Sequence, residues 1–173
     1  ITRKIKKYIK KNKTKEYWYY EQQYLGYNYR MSDINASLGL SQLQRLDLII
    51  KKRQSIAARY DEMLKDLPII LPKIRDENFC SFHLYVIRLN EKFIKYYDKI
   101  FNYLRKKRIM INLHYPPVHH QPYYLNLLKK KLILKNCELY SKSSFSIPVY
   151  ENLKITDQNY IVKNLKKALS KFV

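Results

Sequence analysis

The sequence predicts an α/β domain of the α+β kind, in which a long helix leads into a small lobe of strands and helices. Three observations predict it. Apolar residues recur every three to five positions through Ile34, Leu38, Leu43, Leu46 and Ile50, and a second set at Ile56, Ala57, Tyr60, Met63 and Leu64 continues the helical period. Beyond Pro72 the run FHLYVIRL over 82–89 is rich in aromatic and branched residues, and a helical period and a second short apolar run follow it, giving strand, helix, strand. A chain of 173 residues, 46% hydrophobic, can bury the core of one such domain and is not wholesale disordered.

Taken in order, residues 1–15 are a basic run with Ile5, Tyr8 and Ile9 on a short helical face, expected to be a solvated helix or loop. WYYEQQY, from Trp18, is too aromatic for a free linker and is expected to pack or lie at an interface. LGYNYRMSDINASLGLSQLQRLD, from Leu25 to Asp47, holds both glycines of the chain. Gly26 suits a bend with positive φ. Ser32 is placed as an N-cap and Asp33 complements the positive end of the helix dipole. The helix then runs toward Leu67, as one rod of about 50 Å or as two helices with a bend, and Pro68 stops it. Gly39 lies inside it at a cost of about 1 kcal/mol relative to Ala, which suggests close packing at Ala36 and Gly39.

In the second half, a helix is expected over Lys92 to Lys107, with Phe93, Tyr97, Ile100, Phe101 and Leu104 on one face. A strand over Ile109 to Leu113 follows, and then HYPPVHHQPYY over 114–124, a loop stiffened by Pro116, Pro117 and Pro122. A short helix around Glu138, a strand from Phe145 to Val149, and a final helix capped by Thr156 and carrying Ile161, Leu165 and Leu169 complete the order. There is no internal repeat.

The 35 basic and 14 acidic residues give a net charge of +21, which suggests an anionic partner. The lysines are spread along the chain instead of forming a stripe, and Lys, Ile, Asn and Tyr are abundant together while Gly is scarce. A solvated surface is therefore the expectation, and a non-catalytic basic module that binds nucleic acid is the alternative. Cys80 and Cys137 have neither metal-ligand nor disulfide-framework spacing, and no apolar run approaches a membrane span. A cytoplasmic chain with no membrane association is expected. It begins with Ile, so the expectation is a piece of something longer.

Two stretches concentrate binding chemistry. Asn28, between Tyr27 and Tyr29 and just ahead of a helix start, can reach an anion such as phosphate, or can be an ordinary turn residue. His114, Tyr115, His119, His120, Gln121, Tyr123 and Tyr124 crowd hydrogen-bonding and stacking groups into a loop past a strand end, which makes a binding wall or a loop packed on itself. No metal site is expected there: no HExxH motif or carboxylate partner accompanies the histidines, and adjacent His119 and His120 should point apart. There is no nucleophile elbow, P-loop or GxGxxG.

Read together, WYYEQQYLGYNYRMSDINASLGLSQLQRLD, SFHLYVIRL, INLHYPPVHHQPYY and SFSIPVYENLKITDQ resemble the C-terminal part of the DegT/DnrJ/EryC1/StrS family of sugar aminotransferases, over essentially the whole chain. The resemblance implies the C-terminal domain of a fold-type-I pyridoxal 5'-phosphate (PLP) aminotransferase. Residues 1–31 would be the end of the large cofactor domain and an interface loop, 32–67 a long connecting helix, and 68–173 a small domain with a mixed sheet and helices. It implies amino transfer, usually from glutamate, to a UDP-4-keto-6-deoxy sugar of the kind used in pseudaminic acid biosynthesis, in a homodimer with shared active sites. Asn28 would reach the cofactor phosphate and substrate side of the partner's site. Leu113, His114, Tyr115 and Pro116, with His119, would line the nucleotide-sugar site. The Schiff-base lysine would lie upstream of Ile1, so no catalytic residue is expected in this chain, and alone it should be inactive.

Overall fold

The computed structural model describes residues 24–27, 29–129 and 132–172. The chain divides into two units, Ile1–Leu40 and Ser41–Val173. The basic opening run, the aromatic clump from Trp18 to Gln23, and Asn28 lie outside the described residues.

Helix α1, Asp33–Leu43, starts as expected: the Asn35 N–H reaches Ser32 Oγ at 3.4 Å, the Ala36 N–H donates to the Ser32 carbonyl at 2.9 Å, and Asp33 occupies the first turn. Two expectations for this region are not met among the described residues. Gly26 does not have positive φ. A Cβ built on Gly39 would meet nothing within 4 Å among the described residues, so none of them calls for that glycine. The apolar side chains of α1 are not core: Ile34, Leu38, Leu40 and Leu43 are all exposed. At about 100° per residue, Leu40 and Leu43 fall on the opposite side of the helix from Ile34 and Leu38, and a helix apolar on both sides is usually one that other structure covers.

Of the two forms expected for 32–67, the structure has the second. After α1, a tighter bond from the Arg45 N–H to the Gln42 carbonyl, 3.0 Å, breaks the ladder before helix α2, Leu46–Leu64. Ile56, Ala57, Tyr60 and Leu64 of α2 enter the core, as their spacing predicts.

The lobe that follows has strands β1 (Ile69–Ile70), β2 (Tyr85–Leu89), β3 (Asn112–Leu113) and β4 (Ser144–Ile147) in spatial order β1-β2-β4-β3. Every neighbouring pair is antiparallel, so the mixed sheet is corrected to an antiparallel one. The strand-helix-strand reading is right in direction: β2 and β3 both oppose β4 and therefore run the same way. What the order along the chain could not show is that β4 comes back to lie between them, splitting the unit.

Helices α3 (Glu91–Ile94) and α4 (Tyr97–Lys106) replace the single helix expected over Lys92 to Lys107. Strand β2 starts later than expected because Phe82 has φ 46, a conformation that interrupts extended backbone, while Arg53 Nη1 donates to the Phe82 and His83 carbonyls at 3.2 and 3.1 Å. Along β2, Tyr85, Ile87 and Leu89 are buried and alternate with half-buried Val86 and Arg88. On the latter face, the Arg88 guanidinium lies 5.8 Å from the ring of Tyr140, on helix α6 (Lys135–Ser143).

The final helix α7, Ile155–Lys171, buries Ile161, Val162, Leu165, Ala168 and Leu169. Its N-cap is Lys154 and not Thr156, and no side chain caps it; the Lys154 carbonyl accepts from the Asp157 and Gln158 N–H groups instead. The buried Gln158 amide donates to the Ile56 carbonyl at 3.0 Å, which fixes α7 against α2. Cys80 and Cys137 are free thiols. Among the described residues, no helix is long and apolar enough to cross a membrane.

Candidate functional site

The proline-rich segment is more ordered than a loop. Pro116 and Pro117 lead into a 3₁₀ turn, Val118–His120, closed by the His120 N–H on the Pro117 carbonyl at 2.9 Å. Pro122 then opens helix α5, Pro122–Leu128, at a position where its missing N–H costs nothing.

Where β3 ends, Leu113, His114 and Tyr115 line a cleft of about 310 Å³ whose other walls include Leu84, Phe101, Arg105 and Ile111. The main chain here is held from two sides. Ser144 Oγ donates to the His114 carbonyl at 3.0 Å, and Ser141 Oγ donates to the Tyr115 carbonyl at 2.8 Å. The Tyr115 side chain is exposed and stands edge-on to the His114 ring, with centroids 5.1 Å apart. His114 is 8% exposed, and its buried Nε2 has no hydrogen-bond partner. Burial disfavours the charged imidazole and lowers its pKa below the ordinary 6.5. Near neutral pH this is an uncharged ring able to give or accept one hydrogen bond at a cleft wall.

The structure therefore gathers Leu113, His114 and Tyr115 at one cleft. Pro116 is exposed beside it, while His119 is buried and faces Glu138. Asn28 lies outside the described residues. Arg105 is a cleft residue that the sequence did not single out. Its Nη1 lies 3.4 Å from the Ile111 carbonyl, and its guanidinium supplies the cleft with a permanent cation suited to phosphate oxygens. Its only signal in the sequence was its place on the helical turn before the second strand, which Lys106, Lys107 and Arg108 share.

The expectation that His119 and His120 point apart and lack a carboxylate is overturned. Their ring centroids are 4.4 Å apart, and their Nε2 atoms lie 3.6 and 3.4 Å from Glu138 Oε1. Sequence separation hid Glu138, which the path through α5 and α6 brings back against the turn. Burial pushes the Glu138 carboxyl up, but His119, a backbone bond at Leu134 and His120 outweigh it and hold the pKa below the usual value.

A family model described as the DegT/DnrJ/EryC1/StrS aminotransferase family matches residues 2–166. The UDP-4-amino-4,6-dideoxy-N-acetyl-beta-L-altrosamine transaminase of Campylobacter jejuni is 33% identical over 158 residues, covering 91% of this chain and 42% of that protein. Helicobacter pylori PseC, an aminotransferase involved in the biosynthesis of pseudoaminic acid, has a solved structure that superposes with a TM-score of 0.82 at 29% identity, over 91% of this chain and 43% of its own. A putative sugar aminotransferase of Streptococcus pneumoniae, Spr1654, solved in its PLP form, gives a TM-score of 0.80 at 28% identity, over 90% of this chain and 40% of its own. The chain thus spans about two fifths of the length of these relatives.

A covalent PLP site needs a lysine held against the cofactor aldehyde in a dry pocket. Every described lysine is exposed in this chain.

Proposed function

The chain belongs to the DegT/DnrJ/EryC1/StrS aminotransferase family, and from that premise we propose that it forms the nucleotide-sugar wall of a PLP-dependent aminotransferase. In this reading the whole enzyme moves an amino group from glutamate to a UDP-4-keto-6-deoxy sugar for pseudaminic acid or a related cell-surface glycan. The cofactor lysine comes from residues outside this chain, and the chain alone is inactive. Asn28 serves the phosphate side of the partner's site in a homodimer.

One observation carries the reading: Leu113, His114 and Tyr115, assigned to the sugar site from sequence, line a single cleft with the cation of Arg105. A neutral imidazole, an exposed aromatic ring and a guanidinium suit the hydroxyls, base and diphosphate of such a substrate. The exposed apolar sides of α1 support an assembly in which further structure covers that helix.

The test is titration of the isotopically labelled chain with UDP and, separately, with PLP followed by borohydride. UDP should shift the amide resonances of Leu113, His114, Tyr115 and Arg105, and borohydride should fix no pyridoxyl group to one lysine. Shifts confined to other elements, or one stoichiometric pyridoxyl-lysine, would sink the reading.

A further inference from the structure

Outside the cleft, three side chains converge on one point. His119 is 7%, Glu138 21% and His120 35% exposed, yet His119 Nε2, His120 Nε2 and Glu138 Oε1 are each shut off from solvent. The three atoms approach one another at ion-pair range but make no well-formed hydrogen bond. A buried polar atom without one costs about 1–3 kcal/mol, so three at one point need a reason. An imidazolium and a carboxylate that met only each other would close to about 2.7–2.9 Å. Here the nitrogens stand 3.6 and 3.4 Å from the oxygen, and one ligand atom from each of the three residues lies within 4.8 Å of the other two. Ligands about 2.0–2.1 Å from a tetrahedral zinc ion lie roughly 3.4 Å apart.

We propose that His119 Nε2, His120 Nε2 and the Glu138 carboxylate bind one Zn²⁺ ion, with a fourth position left for water. Two imidazoles and a carboxylate are a donor set that suits zinc better than magnesium or calcium, which prefer oxygen ligands throughout. The backbone is already arranged for it. The 3₁₀ turn after Pro116 and Pro117 sets the two rings side by side, and the first turn of α6 presents Glu138 to both. The role is structural: the ion ties the turn to α6, the same helix from which Ser141 holds the Tyr115 carbonyl at the cleft. It does not depend on which substrate the cleft takes.

The experiment uses the untagged full chain, stripped of metal with a chelator and titrated with Zn²⁺ alone against a chromophoric chelator. One equivalent should bind, thermal stability should rise with Zn²⁺, and Co²⁺ in its place should give the intense visible bands of a tetrahedral site. His120→Ala and Glu138→Gln should each weaken binding by about tenfold or more, since even a supporting partner of a metal ligand is worth about that much. His83→Ala, a change at an exposed histidine elsewhere, should not. Should either ligand variant fail to fold, the wild-type Co²⁺ spectrum and Zn²⁺-dependent melting decide alone. Absence of a stoichiometric site, an octahedral Co²⁺ spectrum, or equal binding by all variants would overturn the proposal and leave a plain histidine-carboxylate cluster.

Discussion

Ser144 Oγ donates a 3.0 Å hydrogen bond to the main-chain carbonyl of His114, so the first residue of β4 fixes the residue that turns the end of β3 into a cleft wall. Ser144 is fully buried, and its own carbonyl accepts from the Tyr97 hydroxyl at 2.9 Å. Ser144→Ala removes the donor and leaves the His114 carbonyl without it in a dry setting. The expected loss is about 1–3 kcal/mol of folding stability, read from the midpoint shift in urea denaturation. A loss below about 0.5 kcal/mol would show that water replaces the serine.

In the whole enzyme, His114→Ala should raise KM for the nucleotide sugar far more than it lowers kcat. On the proposed function the imidazole belongs to the binding wall and not to the electron sink. Equal kinetics for variant and wild type would mean that the loop merely packs.

His114 also sets a pH dependence. Its pKa in the folded chain is depressed from 6.5 by burial, so the unfolded chain binds the proton more readily. Stability from this group is therefore complete above about pH 6.5 and falls as the pH drops from there toward the folded value. His114→Gln should flatten that part of the stability curve, measured by thermal melts from pH 7 downward. A slope unchanged in the variant would assign it to other groups.

The basic surface should behave as solvated charge. Described lysines are exposed on several helices and none is buried. Any affinity for DNA or RNA should therefore be sequence-independent and drop on the order of a thousandfold between about 50 and 200 mM salt. Tight binding that survives the higher salt and depends on sequence would favour the basic-module alternative.

What could be read from the sequence follows from how local each signal is. The Ile56, Ala57, Tyr60 and Leu64 face of α2 was legible because a helical stripe is set within two turns of chain. The cap at Ser32 was legible for the same reason. The place of β4 between β2 and β3 was not, because strand order depends on pairing across more than 30 residues, and antiparallel and mixed arrangements share one alternation of side chains. At the site, Leu113, His114 and Tyr115 stood out through their neighbours. Arg105 and Glu138 did not, since each reaches its place through the path of a helix. Phe82 in the left-handed region is a case where a run ideal for a strand is interrupted: the carbonyls that would join a ladder turn to Arg53.

A last consequence comes from the scarcity of glycine. Helix α4 ends in a Schellman arrangement: the Ile109 N–H reaches back to the Leu104 carbonyl at 3.1 Å and the Arg108 N–H to that of Arg105 at 2.9 Å. The two apolar residues that bracket this turn, Leu104 and Ile109, are both buried, so the geometry is anchored by the core. The arrangement needs a left-handed residue between them, usually glycine, and here that residue is Arg108 with φ 58. A side chain in that region costs roughly 1–2 kcal/mol, whereas glycine gives back about 0.5–1 kcal/mol of that through its greater freedom when unfolded. Arg108→Gly should therefore stabilise the chain by about 0.5–1 kcal/mol, while Arg108→Val should destabilise it, because a β-branched residue tolerates positive φ least. Chemical denaturation of the three proteins decides the matter. If Gly proves no better than Arg, the Arg108 side chain makes a compensating contribution, and a lysine at 108 would separate charge from shape.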